Sequence, residues 1–326
     1  MTLASASMTG TLTKLEGLRF MWLEITEKCN LECSHCYVES SPQKPLYSSM
    51  TDEDWLRVMD EAAKLGCKGI QFIGGEPTMH PALERFIEHA HYLHFETIEV
   101  YTNATRLSPR VLAFMREHGV RIATSFYACD PLIHEKITRR KGSFKQTVDS
   151  IKSILDFGLP LRVGLIEMEE NRDRIPETME FLRSLGVLDI GTDIARGFGR
   201  AKESSIQGLC GSCWNGNLCV STNGDCFPCI MSRDFIVGSV LAENLESIVQ
   251  GRRTQMFREK IYNEVWLPSL PQDERMSSVM NGPCTPNRGE TRKTCGPDSP
   301  WCTPNRGGTR KGCGPDSPWC HPKREC

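Results

Sequence analysis

From residue 20 to about 200 the chain alternates short apolar runs with amphipathic stretches. Phe20-Met-Trp-Leu-Glu-Ile-Thr26 reads as a first strand. Thr51-Asp-Glu-Asp then opens a helix, with a capping hydroxyl and acids in the first turn. Trp55, Val58, Met59, Ala62 and Ala63 recur at helical spacing until Gly66 ends it. Gly69–Ile73 is a second strand, followed by a helix from Pro81 to about His94. Thr97–Thr102, Arg121–Tyr127 and Leu161–Ile166 read as further strands, with helices near 108–118, 143–157 and 175–184. Val187–Ile190 and its continuation make a sixth strand. Such alternation implies an α/β fold with a parallel sheet and right-handed crossovers. Six units fall short of a closed eight-unit barrel, so the expectation is an open curved sheet. Ligands in such sheets sit beyond the carboxyl ends of the strands.

The pattern changes after 204. Asn217–Cys229 places Asn223-Gly224 between two strand-like runs, a hairpin signal. Phe235–Val240 leads into an amphipathic helix near 243–260, and 262–283, with Pro268 and Pro271, reads as loop. The expected organisation is an N-terminal arm over 1–18, a core over 19–204, a cysteine-rich region over 205–262 and a tail over 263–326. In that tail residues 284–301 recur as 302–319, with sixteen of eighteen positions identical. Its Pro and Gly density forbids helix, and its apolar content is too low for a core. Metal ligation is one reading of it, a duplicated disordered segment the other.

Net charge is −2, so nothing points to nucleic acid or a membrane surface as partner. Met1–Ser7 lacks a basic start and an apolar core, hence no signal peptide is expected. No apolar run approaches the ~20 residues of a bilayer span. Sixteen cysteines in a long chain without an export signal suit metal ligation in the cytoplasm better than a disulfide framework. They also cluster: three at 29–36, Cys67 and Cys129 alone, five at 210–229 and six from 284 onward.

Cys29-Asn-Leu-Glu-Cys33-Ser-His-Cys36 follows the first strand. Three thiols in one loop can ligate three irons of a cubane cluster and leave the fourth open, whereas structural zinc takes four ligands. The spacing, closed by aromatic Tyr37, resembles the signature of the radical S-adenosylmethionine (SAM) enzymes. Gly74-Gly75-Glu76-Pro77 resembles that family's second signature. The resemblance implies a partial (β/α)6 TIM-like barrel and a SAM-binding [4Fe–4S] cluster on Cys29, Cys33 and Cys36. It also implies reductive cleavage of SAM to a 5′-deoxyadenosyl radical that abstracts hydrogen, with an external electron donor of flavodoxin or ferredoxin type.

The same resemblance assigns SAM contacts. Gly74, Gly75, Glu76 and Pro77 would line its methionine end, and Tyr37 and Ile166 its adenine. Ser125 and Asn103 would meet the ribose side, and Arg196 or Arg200 the carboxylate. At Met168 and Asn171 the chain departs from the family's fifth-strand pattern. His35 reads as a spacer, Cys67 as core, and Cys129 as a packed thiol or a hydrogen-atom donor. Glu167, Glu169 and Glu170 read as a solvated run or as substrate contacts.

Cys210, Cys213, Cys226 and Cys229, with Cys213-Trp-Asn-Gly216 and Pro228-Cys229, resemble the auxiliary-cluster domain called SPASM or its shorter form, twitch. A zinc ribbon is the alternative. Cys219 reads as a buried hairpin thiol. The later SPASM cysteines are not found at their usual spacing; Cys284, Cys295, Cys302, Cys313, Cys320 and Cys326 are the available substitutes. The leading expectation is natural-product biosynthesis, a maturase forming a thioether or carbon–carbon bond in a ribosomal peptide. The alternatives are a tailoring enzyme for a sugar, nucleoside or amino acid, and a non-catalytic zinc or iron–sulfur protein.

Overall fold

The computed structural model describes residues 17–201 and 205–271. Residues 1–16 of the expected arm, and the tail cysteines Cys284, Cys295, Cys302, Cys313, Cys320 and Cys326, lie outside the described residues. Six strands lead: β1 (Phe20–Thr26), β2 (Gly69–Gly74), β3 (Thr97–Tyr101), β4 (Arg121–Phe126), β5 (Leu161–Glu167) and β6 (Asp189–Ile194). Each pairs in parallel with the next. The crossovers carry α1 (Asp52–Lys64), α2 (Leu83–Tyr92), α3 (Pro109–Glu117), α4 (Pro131–Thr138), α5 (Ser143–Asp156) and α6 (Ile175–Ser184). α1 starts as its sequence dictates: Thr51 Oγ1 accepts from the Asp54 N–H, and Asp54 Oδ2 accepts from the Thr51 N–H.

The sheet does not close. Beyond β1 it continues with β7 (Asn217–Val220), β8 (Asp225–Phe227) and β9 (Gly238–Ser239). β7 runs parallel to β1, and β8 and β9 are antiparallel additions. The cysteine-rich hairpin thus extends the core sheet on the β1 side. Gly224 makes its turn at φ +83°, a left-handed conformation that L side chains rarely adopt.

Strand periodicity sorts the side chains. Met21, Leu23, Ile25, Ile70 and Phe72 face the helices and join Trp55, Met59, Phe86 and Ile87 in the main core. Ile73, Cys219 and Phe227, with Trp22 and Tyr101 against them, line the other, concave face.

Three elements differ from expectation. The helix expected near 243–260 is two, α7 (Leu245–Gln250) and α8 (Arg252–Ile261), because Gly251 is extended (φ −62°, ψ 149°). Residues 262–269, expected as loop, continue α8 through a π-helical turn, Tyr262–Trp266, and a last turn, Leu267–Ser269. Packing decides this: Tyr262 and Trp266 close edge-on around Trp214, at 5.3 and 5.1 Å between ring centroids. α4 was not foreseen; it is short, and it is started by Asp130, whose Oδ1 accepts from the Leu132 N–H.

Candidate functional site

The cysteine loop leaves the carboxyl end of β1 and is held from four sides. The Gly74–Glu76 turn at the end of β2 holds its root. Gly75 N–H donates to Thr26 O at 2.7 Å and Glu76 N–H to Lys28 O at 2.8 Å. A Cβ on Gly75 would stand 2.2 Å from Lys28 O, and Gly74 adopts φ +137°. The two glycines are therefore required by close approach to the backbone of Thr26, at the end of β1, and of Lys28 just beyond it.

Glu76 ties this turn to the end of β3. Its side chain is buried. It accepts from Thr78 N–H, the Thr78 and Thr102 hydroxyls, and the Asn103 N–H at 2.7 Å. Burial pushes its carboxyl above the usual range, against the pull of those donors. Asn103 Nδ2 in turn donates to Asn30 Oδ1 at 2.7 Å and lies 3.7 Å from Cys29 Sγ.

α4 and the segment after β6 complete the clamp. Ser34 N–H donates to Ile137 O, and Arg140 Nη1 to Asn30 O. Arg200 Nε donates to Cys33 O at 2.8 Å and Nη2 to Ser40 O at 2.9 Å. A Cβ on Gly199 would meet Cys36 O at 2.4 Å. Leu31 N–H points at Cys29 Sγ at 3.3 Å. Burial pushes the Cys29 and Cys33 thiols up to about 12, so metal uptake there would release protons.

Beside this loop lies a cavity of about 410 Å³, lined by Ser34, His35, Glu167, Met168, Ile194 and Ala195 among others. Its walls are the cysteine loop and the ends of β5 and β6. The β5 end is shaped by buried Asn171, which donates to Tyr127 O and Ile166 O and accepts from the Met168 N–H.

The sequence matches the Radical SAM superfamily over residues 23–182 and the SPASM iron–sulfur cluster-binding domain over 210–268. The chain belongs to the radical SAM superfamily. It is 24% identical over 287 residues to the antilisterial bacteriocin subtilosin biosynthesis protein AlbA of Bacillus subtilis (strain 168), covering 76% of this chain and 61% of AlbA. It is 28% identical over 182 residues to the sporulation killing factor maturation protein SkfB of the same organism, covering 56% of this chain and 43% of SkfB. The chain thus spans less than two thirds of the length of these relatives. Streptococcus suis SuiB bound to the precursor peptide SuiA shares the fold, with a TM-score of 0.63 at 12% identity over 79% of this chain and 73% of that one.

A radical SAM domain implies a [4Fe–4S] cluster and SAM, and a SPASM domain implies auxiliary clusters. The loop suits a cubane: three thiols in one clamped segment, two of them half-buried, with N–H donors already at Cys29 Sγ. Among the described residues no three His, Cys, Asp or Glu side chains close on a single-ion position.

His35, read as a spacer, lines the cavity, edge-on to Tyr127 at 5.1 Å. Tyr37, expected at adenine, packs its ring against the main core, with Glu24, Cys219 and Arg233 nearby. Ser125 shares a 2.9 Å hydrogen bond with the Tyr101 hydroxyl. Arg196 donates to Gly208 O and Asp193 Oδ1, and its charge reaches Cys210. Cys129 is anchored through its N–H to Thr178 Oγ1 on α6. Pro77 is buried at the start of a short 3-10 turn after the Gly-Gly-Glu segment.

In the SPASM region the thiols of Cys210 and Cys229 each hydrogen-bond to Cys213. The Cys213 contact pulls the Cys210 thiol down to about 6. Cys226 is buried in the same core cluster as Cys213 and Cys229, on the face of β8 opposite Phe227, and its Sγ lies 3.8 Å from Gly224 O.

Proposed function

We propose that this chain is a radical SAM enzyme that modifies a ribosomally made peptide, in the cytoplasm and with an external low-potential electron donor. The observation that carries the reading is the three-thiol loop pinned to the Gly74–Glu76 turn beside the cavity. In this reading Cys29, Cys33 and Cys36 would hold the SAM-binding cluster. Gly74–Pro77, Asn103 and Ser125 would flank the methionine and ribose, and His35 and the Ile166–Met168 end of β5 the adenine. When bound, the cluster and SAM supply a 5′-deoxyadenosyl radical able to abstract hydrogen from an unactivated C–H. The chain's own residues orient the bound SAM and keep water out. Cys210, Cys213 and Cys229 would hold the auxiliary cluster, with 205–262 as its region and the tail cysteines as further ligand candidates.

The peptide substrate is supported by AlbA and SkfB, named for bacteriocin biosynthesis and killing-factor maturation, and by SuiB, solved with a precursor peptide. Thioether or carbon–carbon bond formation is the expected outcome. Among the described residues no helix is long and apolar enough to cross a membrane. The test is anaerobic reconstitution with iron and sulfide, then dithionite and SAM. The intact chain should release 5′-deoxyadenosine and Cys33→Ala should release none. A fully loaded protein that yields no 5′-deoxyadenosine refutes the enzymatic reading.

A further inference from the structure

The concave face carries a charged pair that neither cluster site uses. Register places Trp22 beside Gln71 and Cys219, Glu24 beside Ile73, and Cys219 opposite Phe227. Ile73, Cys219 and Phe227, with Trp22, Tyr101 and Ile230, make an apolar lining there. Glu24 thus stands on β1 one position below the Gly74 turn, under the cysteine loop. Arg233 reaches it from the segment that follows Cys229.

The pairing is lopsided. A single nitrogen, Arg233 Nη1, donates to both Glu24 oxygens, at 2.6 and 2.8 Å. Fork-to-fork pairing would use two nitrogens. Among the described residues Nε and Nη2 have no partner, and the guanidinium lies 5.1 Å from the centre of the Phe227 ring. The Glu24 side chain is 4% exposed and that of Arg233 is 29% exposed. The carboxylate is therefore sealed, while the partly exposed guanidinium keeps two adjacent N–H donors without a partner among the described residues.

We propose that Arg233 receives a carboxylate of the substrate peptide, with Glu24 holding the guanidinium in place until it arrives. This rests on the peptide reading above. Two adjacent N–H donors on a planar cation match a carboxylate's two oxygens. An apolar surround makes such a contact stronger than it would be in water. A second carboxylate would leave one negative charge uncompensated. Burial already pushes Glu24 above its usual range, with Arg233 pulling it down and Cys219 and Glu27 also nearby, so Glu24 is the group placed to take the balancing proton.

The test uses anaerobic, SAM-loaded holoprotein and a randomised ten-residue peptide library. Bound peptides are resynthesised as pairs, each Asp or Glu against its Asn or Gln twin. The acid should bind about tenfold tighter or more, as a charge-assisted pair predicts. Arg233→Gln should erase that preference and Arg233→Lys should keep part of it. Glu24→Gln removes the internal competitor and should sharpen it, a gain that a purely structural ion pair would not produce. Iron content of each variant checks that it folds and loads. Peptides that bind without regard to charge overturn the assignment of Arg233 alone. If no peptide binds, the peptide reading falls and this inference with it. A matching loss of SAM affinity in Arg233→Gln without peptide would place SAM's own carboxylate on Arg233 and overturn the substrate assignment.

Discussion

Glu76 offers the sharpest test of how the site is assembled. Its carboxylate satisfies two backbone N–H groups, on Thr78 and Asn103, and two hydroxyls. Glu76→Ala leaves all four without that acceptor. The hydroxyls can rotate, and Thr102 Oγ1 already accepts from Ala104, but the two N–H groups are fixed by the turns they close. At about 1–3 kcal/mol for each buried donor left unpaired, the loss is about 2–6 kcal/mol. Glu76→Gln keeps one oxygen for Thr78 and Thr102 but sets an amide NH2 against the Asn103 N–H, so about 1–3 kcal/mol is expected. Urea unfolding of anaerobically handled protein measures both, read from the midpoint at unchanged slope. The loss should also appear as lower iron content, because Asn103 reaches Asn30 and Cys29. Glu76→Ala within about 0.5 kcal/mol of the parent, the scatter of ordinary surface changes, would refute the view that this carboxylate is what ties β2 to β3.

Gly75→Ala should cost about 1–3 kcal/mol and lower cluster occupancy, because its Cβ meets backbone that cannot yield at Lys28 O; denaturation and iron counts check this. Cys226→Ser should keep the parent's iron and sulfide content, whereas Cys229→Ser should lose about four irons, one cubane. Equal losses in the two would place Cys226 among the ligands. His134 is buried against Phe126 and Phe144, and burial lowers it from 6.5 to about 4. The unfolded chain therefore takes the proton first, so stability falls as pH drops from about 6.5 towards 4, by up to roughly 3 kcal/mol. His134→Leu should flatten that slope in urea midpoints measured across this range.

Much of the fold was legible because its signals are local. The capping box at Thr51, the apolar runs that became β1–β5 and the Asn223-Gly224 turn each depend on residues within a few positions of one another. α4 was missed for the same reason, since eight residues begun by Asp130-Pro131 carry too short a period to announce a helix. The helical end at Tyr262–Ser269 was missed because Trp214, which holds it, lies far away in sequence.

What the sequence determined by itself is what covalent spacing can enforce: three thiols in one loop, the Gly-Gly turn that must follow them, and a run of parallel units. The tertiary structure decided which side each group faces and what it meets. It put His35 on the cavity wall, Cys226 on the face of β8 opposite Phe227, and Arg233 on Glu24, 209 residues away. Those choices follow from register and from packing across the sheet, where moving one position along a strand turns a side chain to the opposite face, and no local spacing carries that information.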